Sequence, residues 1–386
     1  MEAGRALEEE RAHILAWRIS ELAEITNRSL GWACGPTIDS CWANTLNAVT
    51  SFLHHWWIDS PVRWHPLLAV YYLTYACDFR CPFCSDGAGA PYYRLRSGIL
   101  SNSEVAQLLR IIRRQSEYLV ITGGEPLQHP DFREVMDSLG LLKFRGVVLT
   151  TNGHEVDSFL SAVARAVSEL VFSLQTLDSE KADSWYGRGR GTHQRVMDNI
   201  DLAARYPRRR FEIIISSVVT PGNIDDLYQV YHYTQKNGFR LAACPQLVGV
   251  KVHPALADNP EYRRFFQFLI DEKKKGGRIQ GTVDYLEYMR DLRKFSCRPF
   301  TMLVVSPMGD VFYPCLEFGQ FAGNLIEEGN LHRLRQKGCE RFGPQPECDT
   351  RCHSACALGF SRALANPASI LHEAALAARA KIKRFL

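Results

Sequence analysis

The 386-residue sequence predicts an α/β fold whose core is a partial (β/α)6 barrel. Three observations carry that expectation. Six short apolar runs have strand length: Leu68 to Tyr75, Tyr118 to Thr122, Gly146 to Thr151, Leu170 to Leu174, Phe211 to Val219 and Phe239 to Val248. Helix-length segments separate them, and one opens on Ser101-Asn102-Ser103-Glu104, with serine and glutamate at capping-box spacing. Cysteines, glycines and short polar residues stand just after several of the runs, and in a parallel barrel the C-terminal strand ends are where chemistry gathers.

The flanks differ from this core, and the composition divides the chain into residues 1–66, 67–296, 297–362 and 363–386. The first zone holds six of the seven tryptophans: Trp17, Trp32, Trp42, Trp56, Trp57 and Trp64. Trp42, Leu46, Val49, Leu53 and Trp56 recur at helical spacing, and Leu15, Ile19 and Leu22 suggest a second helix before the Gly35-Pro36 break. A helical N-terminal extension is therefore expected. Its aromatics either dock it on the barrel or touch substrate or a membrane surface. The third zone carries six of the twelve cysteines and few long apolar runs, so metal is expected to support a small cysteine-rich domain. Asn366-Pro367 then reads as cap and first turn of a last amphipathic helix with Leu371, Ala374, Ala378, Ile382 and Phe385 on one face.

Composition narrows the functional classes. Apolar residues make up 46% and charged residues 23%, which suits a globular protein. A formal charge of +4 from 46 basic and 42 acidic residues gives no case for a nucleic-acid partner. The acidic start, MEAGRALEEERAH, lacks the apolar segment of a secretory signal, and no run reaches the roughly 18 apolar residues of a membrane span. The expected compartment is the cytoplasm. Twelve cysteines there point to metal or redox chemistry instead of disulfides.

After the first strand the chain reads Cys77-Asp-Phe-Arg-Cys81-Pro-Phe-Cys84. Three thiols within eight residues can hold a cubane iron-sulfur cluster and leave one iron open, whereas a structural zinc site wants four closed ligands. The next strands end in Gly123-Gly124-Glu125-Pro126 and Thr150-Thr151-Asn152-Gly153, and the fourth contains Ser173. Glycines there permit close backbone approach, and the carboxylate can accept from an ammonium group. The short polar residues also suit simple helix caps.

The C-x3-C-x-aromatic-C spacing, with Phe83 in the aromatic place, resembles the signature of the radical S-adenosylmethionine (SAM) superfamily. The other motifs follow it in order over residues 67 to 250. The resemblance implies a TIM-like partial barrel in which Cys77, Cys81 and Cys84 hold a [4Fe-4S] cluster. SAM chelates the open iron and is cleaved reductively to a 5'-deoxyadenosyl radical. It further implies that Gly123, Gly124 and Glu125 hold the SAM amino group and that Thr151, Asn152, Ser173 and Phe83 line the pocket. Arg188 or Arg190, in Gly187-Arg-Gly-Arg-Gly191, suits the methionyl carboxylate. Ser173-Leu-Gln175 departs from the commoner Ser-hydrophobic-Asp, and Asn223 is a further candidate.

Cys297 and Cys315 flank an apparent hairpin, and Cys348, Cys352 and Cys356 follow. This arrangement resembles the SPASM or twitch extension of the same superfamily, which implies one auxiliary [4Fe-4S] cluster on Cys297, Cys315 and two of the last three. Cys339 is an extra thiol, and zinc is the rival metal. The expected function is hydrogen abstraction from a peptide, protein side chain or small molecule, leading to oxidation or bond formation. An external reductant such as flavodoxin or ferredoxin would supply the electron. Radical adenosyl addition, and a non-catalytic iron-sulfur or zinc scaffold, are the alternatives.

Overall fold

A computed structural model describes residues 64–86, 89–207, 209–344 and 352–370, together with 372, 373 and 376. The expected N-terminal helices, all the tryptophans before Trp64, most of the final helix, and Cys34, Cys41 and Cys348 lie outside the described residues.

The six expected strands are present as β1 (Leu68–Thr74), β2 (Tyr118–Gly123), β3 (Gly146–Thr151), β4 (Glu169–Ser173), β5 (Glu212–Val219) and β6 (Arg240–Pro245). They lie side by side in chain order, every neighbouring pair parallel. Their apolar character follows from position: a parallel sheet covered by helices buries its strands. The covering helices are α1 (Asn102–Gln115), α2 (Phe132–Leu142), α3 (Val156–Ala166), α4 (Ser179–Tyr186), α5 (Thr192–Arg205) and α6 (Ile224–Lys236). At the start of α1 the Ser101 side chain caps the backbone of Glu104, and the Glu104 carboxylate returns to the Ser101 N–H at 2.8 Å, the capping box that the sequence predicts.

Beyond β6 the chain forms a short ribbon, β7 (Leu247–Val248) with β8 (Lys251–Val252), and then the helices α7 (Pro254–Ala257), α8 (Pro260–Lys275) and α9 (Val283–Asp291). The cysteine-rich zone then returns to the other end of the sheet. Strand β9 (Met302–Val305) pairs parallel with β1, so that Val70 faces Val304. Strands β10 (Asp310–Phe312) and β11 (Phe321–Asn324) add antiparallel beyond it. The sheet therefore has nine strands and runs without a break across residue 297. Leu303, Val305, Val311 and Tyr313 join the main apolar core. Trp64 is fully buried there, its indole N–H donating to the Met302 carbonyl at 3.1 Å.

The two faces of the sheet differ. Tyr71, Ile121, Leu149, Phe172, Ile215 and Leu241 pack under the helices with essentially no exposure. Residues of the opposite parity, such as Val70, Val120, Val148, Ser216 and Ala242, keep partial solvent contact. On the same face Tyr72, Val171, Ile214, Met302 and Val304 are buried, and Ala357 and Phe360 pack against Tyr72, Met302 and Val304. Because β6 and β11 do not pair, the barrel is open along one side. The helix α12 (Ala355–Ala365) spans the opening: Arg362 pairs with Asp284 of α9 through two bonds of 2.8 and 3.0 Å, while Ser361 accepts from Arg298 N, just before β9, at 2.9 Å. After a break at Asn366 the chain is helical again over 367–370.

Phe172, fully buried in the centre of β4, tests the helix-side core. Phe172→Ala should destabilise the protein by about 3–5 kcal/mol in denaturant unfolding, through lost burial and a residual cavity.

Candidate active site

The loop that leaves β1 is fixed at its root by the end of β2. Gly124 N donates to the Thr74 carbonyl and Glu125 N to the Ala76 carbonyl, both at 2.8 Å. A Cβ on Gly123 would stand 2.1 Å from the Thr74 carbonyl oxygen, and one on Gly124 would stand 2.4 Å from the carbonyl oxygens of both Tyr75 and Ala76. Gly123 also has φ +145°. The glycine pair thus permits a close approach of the chain to itself, one residue ahead of Cys77.

The loop is then held from a second side by the end of α4. Arg80 N donates to the Tyr186 carbonyl at 2.8 Å, and the Phe79 ring stacks on Tyr186 at 4.4 Å between centroids. Within the loop, the Arg80 guanidinium binds the carbonyls of Cys77 and Phe79 at 2.6 and 2.8 Å. Asp78 reaches outward: its carboxylate accepts from Asn152 Nδ2 at 2.7 Å and from Arg188 Nη1 at 2.5 Å. These contacts leave Cys77, Cys81 and Cys84 half-buried on one loop at the C-terminal end of β1.

The donor set fits a cubane better than zinc. Three cysteines on this loop leave the fourth position of a tetrahedral zinc unfilled, whereas a cubane takes each thiolate on a different iron and leaves one iron open. The Phe79 and Tyr92 N–H groups point at Cys77 and Cys84 Sγ, each at 3.4 Å, as thiolate stabilisation requires. Burial pushes the Cys77 thiol up to about 12, and the charges of Glu125 and Asp78 add to the rise. Burial likewise raises Cys81 and Cys84. A metal cation beside these sulfurs would favour their thiolate forms against that burial.

The other expected residues come to the same end of the sheet. The Glu125 carboxylate, which the sequence reading offers to a ligand's ammonium group, takes three donors of the protein itself. These are Leu127 N at 3.1 Å, Thr151 Oγ1 at 2.8 Å and Asn152 N at 2.6 Å. It ties β2 to β3, and burial raises its pKa to about 7 against those donors. Asn223 is similarly engaged, accepting from Thr220 and donating to the carbonyls of Gln175 and Val218. Ser173 ends β4 in register with Ser216 and is half-buried. Phe83 meets Trp185 edge-on at 5.6 Å, and Lys181 lies over the same indole at 5.3 Å. Sequence reasoning did not single out Asp78, Trp185 or the cluster of Tyr72, Tyr75 and Tyr92. In that cluster the Tyr72 and Tyr92 hydroxyls lie 3.1 Å apart.

Residues 71–233 match the family described as Radical SAM superfamily. Over these residues the chain is similar to the radical SAM superfamily. Among curated proteins it is 30% identical over 156 residues to the GTP 3',8-cyclase of Marinobacter nauticus, a match covering 40% of this chain and 46% of that one. The chain thus spans about half the length of the curated relatives it matches. Among solved structures, Streptococcus suis SuiB bound to its precursor peptide SuiA superposes with a TM-score of 0.54 at 19% identity, over 76% of this chain and 70% of that one. The anSMEcpe structure with bound AdoMet gives a TM-score of 0.55 at 15% identity, over 82% and 98%. These likenesses establish the fold. The radical SAM match implies a [4Fe-4S] cluster and SAM.

Outside the matched radical SAM segment, Cys356 lies in the first turn of α12 and Cys352 just before it. Cys297 packs against the apolar group of Tyr72, Met302, Val304, Phe312 and Ala357. Desolvation, followed by the Glu317 carboxylate, raises the thiols of both Cys315 and Cys356. Cys352 is half-buried next to His353, whose ring meets Phe295 at 6.5 Å. Cys339 lies on α11 (Leu331–Phe342), which follows the short α10 (Leu325–Glu328). Among the described residues no helix is long and apolar enough to cross a membrane.

The glycine contact makes a sharp prediction for this radical SAM site. Gly124→Ala must displace the root of the cysteine loop. Anaerobic reconstitution should then give about four fewer irons per chain than wild type, the content of one cubane, while thermal unfolding stays cooperative.

Proposed function

We propose that the protein is a radical SAM enzyme that abstracts a hydrogen atom from an uncharged group of its substrate inside the barrel. The observation that carries this reading is the placement of Cys77, Cys81 and Cys84 on one clasped loop at the C-terminal end of β1, beside a sheet face that is partly solvent-exposed. Cys77, Cys81 and Cys84 would hold a cluster that would supply the one electron needed to cleave SAM to methionine and a 5'-deoxyadenosyl radical. The chain's own residues do the positioning. Gly123 and Gly124 set the loop, and Glu125 holds the strand ends together with Thr151 and Asn152. Ser173, Phe83 and Arg188 are the groups we assign to the SAM pocket, with Arg188 offering the edge of its guanidinium that Asp78 does not use.

The inner face of the sheet supports the uncharged substrate. Its walls carry Val70, Val120 and Val148 in one layer and Tyr72, Thr122, Thr150, Val171 and Ile214 in the next, as the strand register dictates. Ser173, Ser216 and Ala242 stand nearer the mouth. Among the described strand residues of this face the basic one is Arg240, which is paired with Glu169 at 3.6 Å and Glu212 at 2.5 Å. A nucleoside triphosphate would require several free cations there. The side chain of a peptide, a protein, or a neutral small molecule matches these walls better. We further assign one auxiliary [4Fe-4S] cluster, of SPASM or twitch type, to Cys297, Cys315 and two of Cys348, Cys352 and Cys356. Such a cluster could accept the substrate's electron in an oxidation, and flavodoxin or ferredoxin would reduce the first.

Anaerobically reconstituted, dithionite-reduced protein should release 5'-deoxyadenosine from SAM. Replacing Cys77, Cys81 and Cys84 together by alanine should reduce this to background and leave about four irons on the C-terminal site. A fully loaded wild-type protein that leaves SAM intact would sink the catalytic reading.

The wall chemistry is tested separately. Adding GTP should neither accelerate 5'-deoxyadenosine release nor be consumed. Conversion of GTP to a cyclised product would show that the charge argument fails.

A further inference from the structure

We propose that Asp78 and Arg188 form an ion-pair clasp on the cysteine loop that sets the reduction potential of the cluster. The proposal rests on the reading of that loop as a [4Fe-4S] site. Asp78 follows Cys77 directly and precedes Cys81 by three residues, so its carboxylate is covalently bound to move with two of the three thiols. Its side chain is only 9% exposed, which weakens screening by water. Its two oxygens are divided between partners from different segments. Asn152 Nδ2, after β3, binds Oδ1 at 2.7 Å, and Arg188 Nη1, after α4, binds Oδ2 at 2.5 Å. The Arg188 side chain, 36% exposed, stands between this carboxylate and solvent.

Arg80 also brings a cation to the loop, but it is bound to the Cys77 and Phe79 carbonyls and is unchanged in every variant tested below. His154 Nδ1 lies 3.7 Å from Asp78 Oδ2, but burial first and the Arg188 charge second lower its pKa, so the ring is neutral near pH 7. Glu155 brings a second carboxylate oxygen within 4.8 Å of Asp78 and adds negative charge. Arg188 is thus the cation paired with the loop carboxylate among the described residues. Adding an electron to a cluster is opposed by a nearby anion and favoured by a nearby cation. Asp78 and Arg188 pull the potential in opposite directions, and the pair holds it between the two extremes. Both act as positioning residues here, through the loop.

The clasp is tested by the midpoint potential of the SAM-free cluster, read by electron paramagnetic resonance in a redox titration. Iron and sulfide content are measured in parallel. Asp78→Asn keeps an acceptor for Asn152 and should shift the potential upward. Arg188→Gln should shift it downward, and the double variant should return close to wild type. Glu155→Gln, farther from the cysteines along the chain, should raise it less than Asp78→Asn. Should Asp78→Asn fail to assemble a cluster, the downward shift of Arg188→Gln still decides the matter. Shifts of the same sign in the two single variants, no shift in either, or loss of the cluster from both would overturn the clasp. A wild-type protein that binds no iron would instead overturn the cluster reading itself.

Discussion

The contact on which the site depends is the approach of the Gly123–Gly124 backbone to residues 74–76. Two strand ends meet there closely enough that any side chain at either glycine would collide with carbonyl oxygens. Two hydrogen bonds of 2.8 Å result, and they fix where the cysteine loop begins. Everything farther along the loop is placed relative to that root. The Arg80 contact to Tyr186, the Phe79 stack and the Asp78 partners then orient the thiols from a second direction. A motif that reads as ligand-binding in one dimension is thus also a joint of the scaffold.

Much of the fold was legible because its physics is local. A strand buried in a parallel sheet must be apolar along its length, so the six runs stand out, and the Ser101–Glu104 box announces the first helix. The place of the cysteine-rich zone was not legible. Pairing of Val70 with Val304 links strands from opposite ends of the described chain, and nothing in the text near Met302 names β1 as the partner. The zone therefore reads as a small domain in need of metal, whereas its strands complete the main sheet and feed the main core.

The same division runs through the site. Cys77, Cys81 and Cys84 show in the sequence because ligand spacing is a chain-local property. What each polar side chain binds depends on segments brought together by the fold. Glu125 looks available in the sequence and is occupied in the structure by three internal donors. Asp78 looks like an ordinary loop acid and turns out to join three segments. Trp185 carries no sequence signal beyond its neighbourhood to Tyr186 and Gly187, yet it forms the wall against which Phe83 rests.

The pairing of β1 with β9 also bears on how the protein comes to be made. Strand β1 has one neighbour close behind it in synthesis, β2, and another, β9, that is made only after β2 to β8. Contacts of such long sequence separation close late, after the entropy of the intervening chain has been overcome. During that interval the strand that carries the cysteine loop is an exposed edge. The nascent barrel thus presents an unpaired strand beside its three thiols, a state prone to aggregation until Met302–Val305 docks.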